Sequence, residues 1–320
     1  MAGHPVNAPA ETRTAVVFPG MGPTGFADVA KFMLVDPFAR GLLAEADRVL
    51  GYSLVDRYAE EERDYSVSAQ LAMLVNCLAL AEWAGEHLGL APDFCTGPSF
   101  GEKAAAVHSG ALGFPEALWL TGELARREER YFARAHQDVV TQSLARTPRS
   151  VLEEILGELD DRGEWHEMSC YVDDSFHMVS LRKDALDWFR QRVRAGGGMA
   201  LYTMWPPLHS SAFAELRDEV ASEVLSEVSF RDPVVPVVAD QDGTVLRTGD
   251  GVRRMLLDGY VRPVRWPDVV SALRGFGVGR VYVAGPDRLF GRVGVTTANF
   301  EVVAVDPRRA LRPRRRRTAG

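Results

Sequence analysis

A single serine lies at the centre of the segment Gly97-Pro98-Ser99-Phe100-Gly101. The segment fits the G-x-S-x-G pattern, in which flanking glycines permit a strained strand-to-helix turn that lifts a serine hydroxyl clear of a sheet. A helix that begins at such a turn also favours an oxyanion, because its dipole and free N–H groups point at the reacting carbonyl. Ser99 is therefore a candidate nucleophile, provided that a strand precedes it and a helix follows.

The sequence around Ser99 predicts the required elements. Phe94 to Gly97 has the composition of a short strand, and the Ala-rich stretch Phe100 to His108 predicts a helix. Farther upstream, Thr14 to Phe18 predicts a buried strand that stops at a Pro-Gly turn. Apolar residues recur at three- and four-residue spacing from Ser66 to Leu88, which predicts one long, largely buried helix.

The middle of the chain has a different pattern. Between residues 135 and 205, short segments follow the order strand, helix, strand, strand, helix, strand, which is typical of a ferredoxin-like unit. Longer α/β units return afterwards, with strands predicted at Val234 to Ala239, Val281 to Ala284 and Val302 to Val305. We predict an α/β fold: an α/β-hydrolase-like large domain with a mostly parallel sheet (residues 12–134 and 206–306), an inserted ferredoxin-like small domain (135–205), and a basic, disordered tail (307–320).

Composition and charge argue against several functional classes. The chain of 320 residues is 46% hydrophobic and carries a formal net charge of −7, which argues against a nucleic-acid binder, since that class needs a basic surplus. No signal segment and no apolar run of about 18 residues is evident, so no membrane association is expected. The three cysteines form neither a paired framework nor a metal-ligand spacing. We expect a cytoplasmic monomer that binds no metal and no cofactor of its own.

Five motifs occur in a fixed order along the chain. They are Phe18-Pro19-Gly20-Met21-Gly22, Gly97-Pro98-Ser99-Phe100-Gly101-Glu102, Leu208-His209-Ser210, Pro263-Val264-Arg265-Trp266 and Gly285-Pro286. In these motifs and their order, residues 14 to 305 resemble the malonyl-CoA:acyl-carrier-protein transacylases and the acyltransferase domains of polyketide synthases. The resemblance implies a serine acyltransferase.

The resemblance also implies roles for individual residues. Ser99 would be acylated, and His209 would accept its proton and then activate the incoming thiol. The histidine would be oriented by a backbone carbonyl near Gly259, so no acidic third member is required. The backbone N–H groups of Met21 and Phe100 would form the oxyanion hole.

Several positions depart from the pattern of malonyl-selecting relatives. Such relatives carry an arginine that pairs with the free carboxylate of the extender unit, and Leu124 occupies that position here. Pro98 stands where the family commonly has His, and Leu208 replaces the usual Ser or Phe. Together with Gln70 and Met204, these residues predict a pocket for an uncharged and larger acyl group.

Within the family, such variants resemble the discrete transacylases of macrolactam polyketide pathways. The resemblance implies transfer of an aminoacyl or dipeptidyl group from one acyl carrier protein to another, with the substrate held on the carrier's phosphopantetheine. Carrier proteins are acidic around the phosphopantetheine serine, so a docking face should carry arginines. The candidates are Arg146, Arg149, Arg182, Arg288 and Arg292.

Three other interpretations stay open at this point. The same acyl-serine intermediate attacked by water would give an editing thioesterase that acts on acyl carrier proteins. A second alternative is an extender-unit acyl-CoA:ACP transacylase. The third is a non-catalytic interaction module, against which the presence of both Ser99 and His209 argues.

Overall fold

The computed structural model describes residues 12–312, which form two β-sheets with helices packed against them. The strands are β1 (Arg13–Val17), β2 (Phe94–Thr96), β3 (Val139–Ala145), β4 (His166–Asp173), β5 (Phe176–Arg182), β6 (Met199–Met204), β7 (Val237–Val238), β8 (Val245–Leu246), β9 (Val264–Arg265), β10 (Val278–Ala284) and β11 (Glu301–Val305).

The helices occupy most of the chain between these strands. They are α1 (Phe26–Val35), α2 (Pro37–Leu50), α3 (Leu54–Ala59), α4 (Val67–Leu88), α5 (Gly101–His108), α6 (Phe114–Arg134), α7 (Arg149–Asp161), α8 (Lys183–Ala195), α9 (Ala214–Glu223), α10 (Gly249–Val261), α11 (Trp266–Gly275), α12 (Gly294–Thr297) and α13 (Pro307–Ala310).

The larger sheet has the strand order β11-β10-β1-β2-β7-β8, and all neighbours except β7 and β8 are parallel. Its inner strands are continuous apolar runs, because helices cover both faces. In a parallel sheet the carboxyl ends of the strands meet at one edge. The loops after β1, β2, β7 and β10 therefore converge there, which brings Met21, Ser99, Asp240 and Pro286 together.

The smaller sheet has the order β6-β3-β5-β4-β9. Its first four strands are antiparallel neighbours, and the helices α7 and α8 pack on it through a separate apolar core that includes Leu152 and Phe189. This is the predicted ferredoxin-like arrangement. One feature was not predicted: β9, which belongs to a later part of the chain, adds to the edge as a strand parallel to β4. The domain boundaries at residues 135 and 205 stay predictions.

Helix α4 is the central helix of the larger core. Its 22 residues are apolar enough to span a membrane by length and composition, but 89% of its most apolar window is buried inside the protein. Ser66 caps its N-terminus and the left-handed Gly89 ends it. The helix thus runs from a defined start to a defined end, with Gln70 on its first turns.

Two predicted segments differ from the structure. The strand predicted at Val234 to Ala239 shortens to the two residues of β7, because Pro233 and Pro236 lack the N–H that a sheet ladder needs. The tail predicted to be disordered from residue 307 begins with helix α13, which Asp306 caps through its side chain. The arginine-rich run at residues 314–317 lies outside the described residues.

Candidate active site

The turn that carries Ser99 has the strained geometry predicted for a nucleophile elbow. Ser99 has a φ of 55°, in the left-handed region that non-glycine residues rarely occupy. A Cβ at Gly97 would lie 2.1 Å from the carbonyl oxygen of Gly101, and a Cβ at Gly101 would lie 2.0 Å from the carbonyl oxygen of Phe18. Both glycines are therefore required for the main chain to close the turn against β1.

His209 meets Ser99 across the cleft between the two sheets. Its Nε2 lies 2.8 Å from the Ser99 Oγ, at hydrogen-bond distance. His209 also has a positive φ, 63°. The loop is held from both sides: the Ser210 N–H donates to the Tyr260 carbonyl at 3.1 Å, and the Ser211 N–H donates to a Glu167 carboxylate oxygen at 2.8 Å. The small sheet, which contributes Glu167, thus helps to position the imidazole.

The environment of His209 favours a neutral imidazole. Burial is the main cause, and it lowers the pKa to about 4; the Lys103 charge acts in the same direction. The carbonyls of Gly259 and Arg262 oppose the shift, although neither is in good hydrogen-bond geometry with Nδ1. At neutral pH the ring can therefore accept a proton from Ser99.

Two buried carboxyl groups lie next to the turn that carries Ser99, and one of them accepts a hydrogen bond from its backbone. Asp240 follows β7, and its Oδ2 accepts the Ser99 N–H at 2.6 Å. Glu102 lies beside Asp240 and accepts a hydrogen bond from the Gln241 amide at 2.6 Å. Burial, and then the Asp240 charge, raises the pKa of Glu102 well above its usual value, and burial raises the pKa of Asp240 to about 6. The pair therefore shares a proton.

The two residues whose N–H groups are expected to form an oxyanion hole belong to the same cavity wall. Met21 and Phe100 both line the cavity next to Ser99. Neither backbone N–H has a protein acceptor among residues 12–312. The arrangement leaves both donors available to an oxygen atom bound in the cavity. We call Ser99, His209 and these two N–H groups the catalytic wall.

Ser99 and His209 open onto a cavity of about 310 Å³, at the small end of the range of about 300–1,000 Å³ for ligand pockets. Four of the five predicted pocket residues line it, namely Gln70, Leu124, Met204 and Leu208. Pro98 does not. It is buried within the elbow, where its carbonyl accepts the Gly101 N–H at 3.1 Å, so its expected role as a pocket residue is wrong.

Four polar residues from four helices form a second part of the lining, which we call the charged wall. It consists of Gln70 (α4), Lys103 (α5), Glu128 (α6) and Tyr260 (α10). The Tyr260 hydroxyl donates to the Glu128 carboxylate at 2.8 Å. Burial raises the pKa of Glu128 and lowers that of Lys103. Apart from Gln70, these residues gave no sequence signal.

Lys103 corrects an expectation drawn from Leu124. The replacement of arginine by Leu124 predicts a cavity without a cation for a carboxylate, but the ammonium of Lys103 lies in its wall, with its Nζ 4.6 Å from the centre of the Phe100 ring. Lys103 follows Ser99 by one helical turn, so the sequence spacing itself indicates that it lies beside the nucleophile.

The arginines predicted to form a docking face are all exposed. Arg288 lies at the cavity mouth and pairs with Asp28 at 2.9 Å. Arg149 pairs with Glu153 at 2.8 Å. The carboxylate of Asp287 lies 4.0 Å from Arg292. Arg146 has no ion pair among residues 12–312.

Arg182 lies at the opposite end of the small sheet from Arg146. The β3–β5 ladder pairs it with Val139, the first residue of β3, whereas Arg146 follows the last residue of that strand. The length of β3, at about 3.4 Å per residue, separates the backbones of the two arginines by roughly 20 Å. Arg182 forms an ion pair with Asp138. Its part in carrier docking stays a prediction.

Comparisons with known proteins agree with this geometry. Residues 143–204 match the family described as the VinK acyltransferase small domain. The malonyl CoA-acyl carrier protein transacylase of Escherichia coli O157:H7 is 26% identical over 286 residues, which cover 87% of this chain and 90% of the relative. A probable mitochondrial enzyme of the same description from Drosophila melanogaster is 28% identical over 312 residues, covering 89% and 79%. The chain is thus similar over most of its length to malonyl-CoA:acyl-carrier-protein transacylases.

Solved transacylase structures share the whole fold. The PlMCAT:AntF complex of a type II PKS acyl-carrier protein with its malonyl-transacylase matches with a TM-score of 0.81 at 24% identity, over 92% of this chain and 96% of that chain. FabD from Acinetobacter baumannii also matches with a TM-score of 0.81, at 20% identity, over 93% and 96%. The predicted fold, a large α/β domain with a small ferredoxin-like domain, is confirmed.

The side chains at the site favour one kind of chemistry. Among residues 12–312, no group of three or more His, Cys, Asp or Glu side chains is placed to hold a metal ion. A serine hydroxyl lies within hydrogen-bond distance of a neutral imidazole, and two residues whose backbone N–H groups have no protein acceptor among residues 12–312 line the same cavity. Such an arrangement suits attack on a carbonyl carbon by Ser99.

Proposed function

We propose that the protein moves a non-malonyl acyl group, aminoacyl or dipeptidyl, between acyl carrier proteins in polyketide biosynthesis, through an acyl-Ser99 intermediate. The observation that supports the chemistry best is the 2.8 Å separation of Ser99 Oγ and His209 Nε2 in the wall of the cavity. The three cysteines are buried and unpaired, which supports the proposed cytoplasmic setting. We propose a monomer.

The proposed reaction has two half-reactions with the same geometry. In the first, His209 Nε2 accepts the Ser99 proton while Oγ attacks the thioester carbonyl; the C–S bond then breaks and the proton passes to the departing thiolate. In the second, the thiol of the acceptor's phosphopantetheine gives its proton to His209 and attacks the ester. The Ser99 Oγ then leaves and takes that proton back. The N–H groups of Met21 and Phe100 would hold the carbonyl oxygen in both steps.

Leu124 supports a non-malonyl substrate. It lies on α6, is 2% exposed and lines the cavity. In malonyl-selecting relatives an arginine at this position would pair with the substrate carboxylate, and an apolar side chain offers no such partner. The acyl chain of the substrate is therefore expected to run along an apolar surface here.

Lys103 favours a second candidate, an extender-unit acyl-CoA:ACP transacylase. Its ammonium faces the cavity and would attract a malonyl carboxylate. Glu128 lies in the same wall and would repel that carboxylate. The two candidates thus differ in the sign of the charge that the cavity accepts.

A transacylase needs partners that deliver and remove the acyl group. The transacylase in the PlMCAT:AntF complex is bound to an acyl-carrier protein, and the sequence relatives are acyl-carrier-protein transacylases. We extend this to the present chain: its partners are a donor and an acceptor carrier protein, docked near Arg146, Arg149, Arg288 and Arg292. No cofactor is bound permanently in this proposal, since phosphopantetheine arrives with the substrate.

Intact-mass measurement of the acylated protein tests the proposal. The wild type is mixed with aminoacyl-carrier, dipeptidyl-carrier, malonyl-carrier and malonyl-CoA donors, and the mass of the acyl-enzyme is followed with time. An aminoacyl or dipeptidyl adduct should form at least about ten-fold faster than a malonyl adduct. The adduct should be absent in Ser99→Ala and present in Ser150→Ala, a substitution of an exposed serine.

Two results would contradict the proposal. Faster loading of malonyl than of aminoacyl groups would support the extender-unit transacylase. Release of free acid from the acyl-enzyme at a rate that an added acceptor carrier protein does not change would support the thioesterase. The loading rates and the release of free acid are measured in the same reaction mixtures.

A further inference from the structure

The charged wall of the cavity has no part in the proposed reaction. Proton transfer needs only Ser99 and His209, and the carbonyl oxygen needs only backbone donors. Yet α5 and α6 bring Lys103 and Glu128 into the lining of this cavity. Taking charged groups out of water is costly unless they gain partners. The wall therefore requires a separate explanation, and a bound ligand is one that the geometry supports.

Glu128 is the best-positioned group in this wall. It follows Leu124 by one turn of α6, so the two side chains lie on the same face of the helix. It is 4% exposed and lines the cavity. The Tyr260 hydroxyl donates to its Oε1 at 2.8 Å, and the Gln70 amide, which donates to the Tyr65 carbonyl at 3.3 Å, is near enough to lower the pKa of the carboxyl group. A buried carboxylate held by the Tyr260 hydroxyl is a fixed acceptor rather than a mobile side chain.

Lys103 does not neutralise Glu128 through a close ion pair. The two charges attract each other, but no described carboxylate lies within 4.0 Å of the Lys103 Nζ. The closest interaction of the ammonium is with the Phe100 ring. Room for a further partner of Glu128 is therefore left in the lining.

Counting charges gives the sign of that partner. Three carboxyl groups line the cavity, those of Glu102, Glu128 and Asp287, and burial raises the pKa of Glu102 well above its usual value, which favours its neutral form. Glu128 and Asp287 face one ammonium group in the lining, that of Lys103, because His209 is neutral and Arg288 at the mouth is exposed and paired with Asp28. The lining thus has a surplus of carboxylate over ammonium groups. A carboxylate ligand would increase this surplus, whereas an ammonium ligand would cancel it.

We propose that Glu128 binds a free, protonated amino group of the acyl chain, which makes amine-bearing acyl thioesters the substrate class. This inference rests on the proposed function, because it requires an acyl group on Ser99. It goes further by assigning the selectivity to one side chain and by excluding acyl groups whose nitrogen is capped as an amide. The ammonium would donate to the Glu128 carboxylate, while Leu124 packs against the carbon chain.

Paired small thioesters test the inference on the full chain. A series of amino-acyl N-acetylcysteamine thioesters of increasing length is prepared, and each is matched to an isostere in which a methyl group replaces the ammonium. Ser99 acylation is followed by intact mass. At the optimal length, the amine should react about 10- to 100-fold faster than its methyl isostere, the range expected for a charge-assisted hydrogen bond.

Variants assign this preference to Glu128. In Glu128→Gln, which keeps the shape and removes the charge, the amine-to-methyl ratio should fall to about one. The ratio is internal to each sample, so partial unfolding lowers both rates and leaves the ratio intact. Tyr260→Phe should reduce the ratio by a smaller factor, since it frees the carboxylate without removing it. Glu123→Gln, on the same helix but paired with Arg126 outside the cavity, should keep the wild-type ratio.

The outcomes separate this inference from the proposed function. Acylation of Ser99 without an amine preference, or a preference that survives in Glu128→Gln, overturns the inference and leaves the acyltransferase proposal standing. Faster acylation by a carboxylate-bearing thioester that is lost in Lys103→Met overturns the inference in favour of Lys103 as the anchor. If no thioester and no carrier-bound donor acylates Ser99, the proposed function and this inference both fail.

Discussion

The two walls of the cavity position their groups by different means. At the catalytic wall the main chain positions the reactive groups. Ser99 and His209 both have left-handed backbone conformations, and the candidate oxyanion donors are N–H groups. At the charged wall, side chains from four helices meet, and the Tyr260 hydroxyl holds the Glu128 carboxylate. Backbone positioning fixes where a reaction occurs, whereas side chains are free to change with the substrate. The comparison explains how one fold keeps a reaction while altering the group it transfers.

The largest effect is expected from removing the hydrogen bond that holds the backbone of Ser99 in place. Asp240→Ala removes the acceptor of the Ser99 N–H, so a buried donor loses its partner at a cost of about 1–3 kcal/mol. Because Ser99 would then shift relative to His209, kcat/KM for acylation should fall about 10- to 100-fold, and the melting temperature should drop. Stopped assays with a methyl-terminated thioester and thermal denaturation measure the two effects.

A matched variant makes that test specific. Asp242→Ala removes a carboxylate two residues away that pairs with Arg262 at 2.9 Å near the surface, and it should change acylation less than about two-fold. Equal losses in the two variants would show that the loop after β7, rather than the bond to Ser99, is what matters. The catalytic wall would then depend on side chains as much as the charged wall does.

The sequence predicts the catalytic wall better than the charged wall, for a physical reason. The elbow is local: Gly97 and Gly101 flank Ser99, and the close main-chain contacts that require them follow from the short pattern itself. His209 is far away in sequence, and it was identified only because Leu208-His209-Ser210 resembles a family motif. Asp240 could have been found as a carboxylate directly after a predicted parallel strand.

Glu128 and Tyr260 could not have been found in this way. They lie on α6 and α10, 132 residues apart in the chain, and nothing in either helix distinguishes a buried glutamate from the exposed ones around it. Only the packing of the helices brings the two side chains together. The same holds for β9, two residues long, whose addition to the small sheet depends on tertiary contacts rather than on its own sequence.

A smaller effect is expected outside both walls, on the docking face. Reversing the charge of Arg146 and Arg292 together (Arg146→Glu, Arg292→Glu) should slow transfer from an acidic carrier protein about ten-fold at low salt, because complementary charge speeds encounter. Acylation by a small thioester should not change. Arg182→Glu is the control, since its backbone lies about 20 Å from that of Arg146 along the small sheet. Equal losses with both donors would contradict docking at this face.

The smallest expected effect is in the pH dependence of acylation, which shows which group at the catalytic wall controls the rate. Burial lowers the pKa of His209 to about 4, so the imidazole stays neutral, and able to accept the Ser99 proton, as the pH falls from 8 to about 5. A histidine with the ordinary pKa of about 6.5 would lose about ten-fold in rate by pH 5.5. With a methyl-terminated thioester, which has no group that titrates in this range, kcat/KM should therefore stay nearly level to pH 5 and fall below it. A fall centred near 6 would instead assign control to the Glu102–Asp240 pair, in which burial raises the pKa of Asp240 to about 6. In that case a side-chain pair, and not the desolvated imidazole, would set the working range of the catalytic wall.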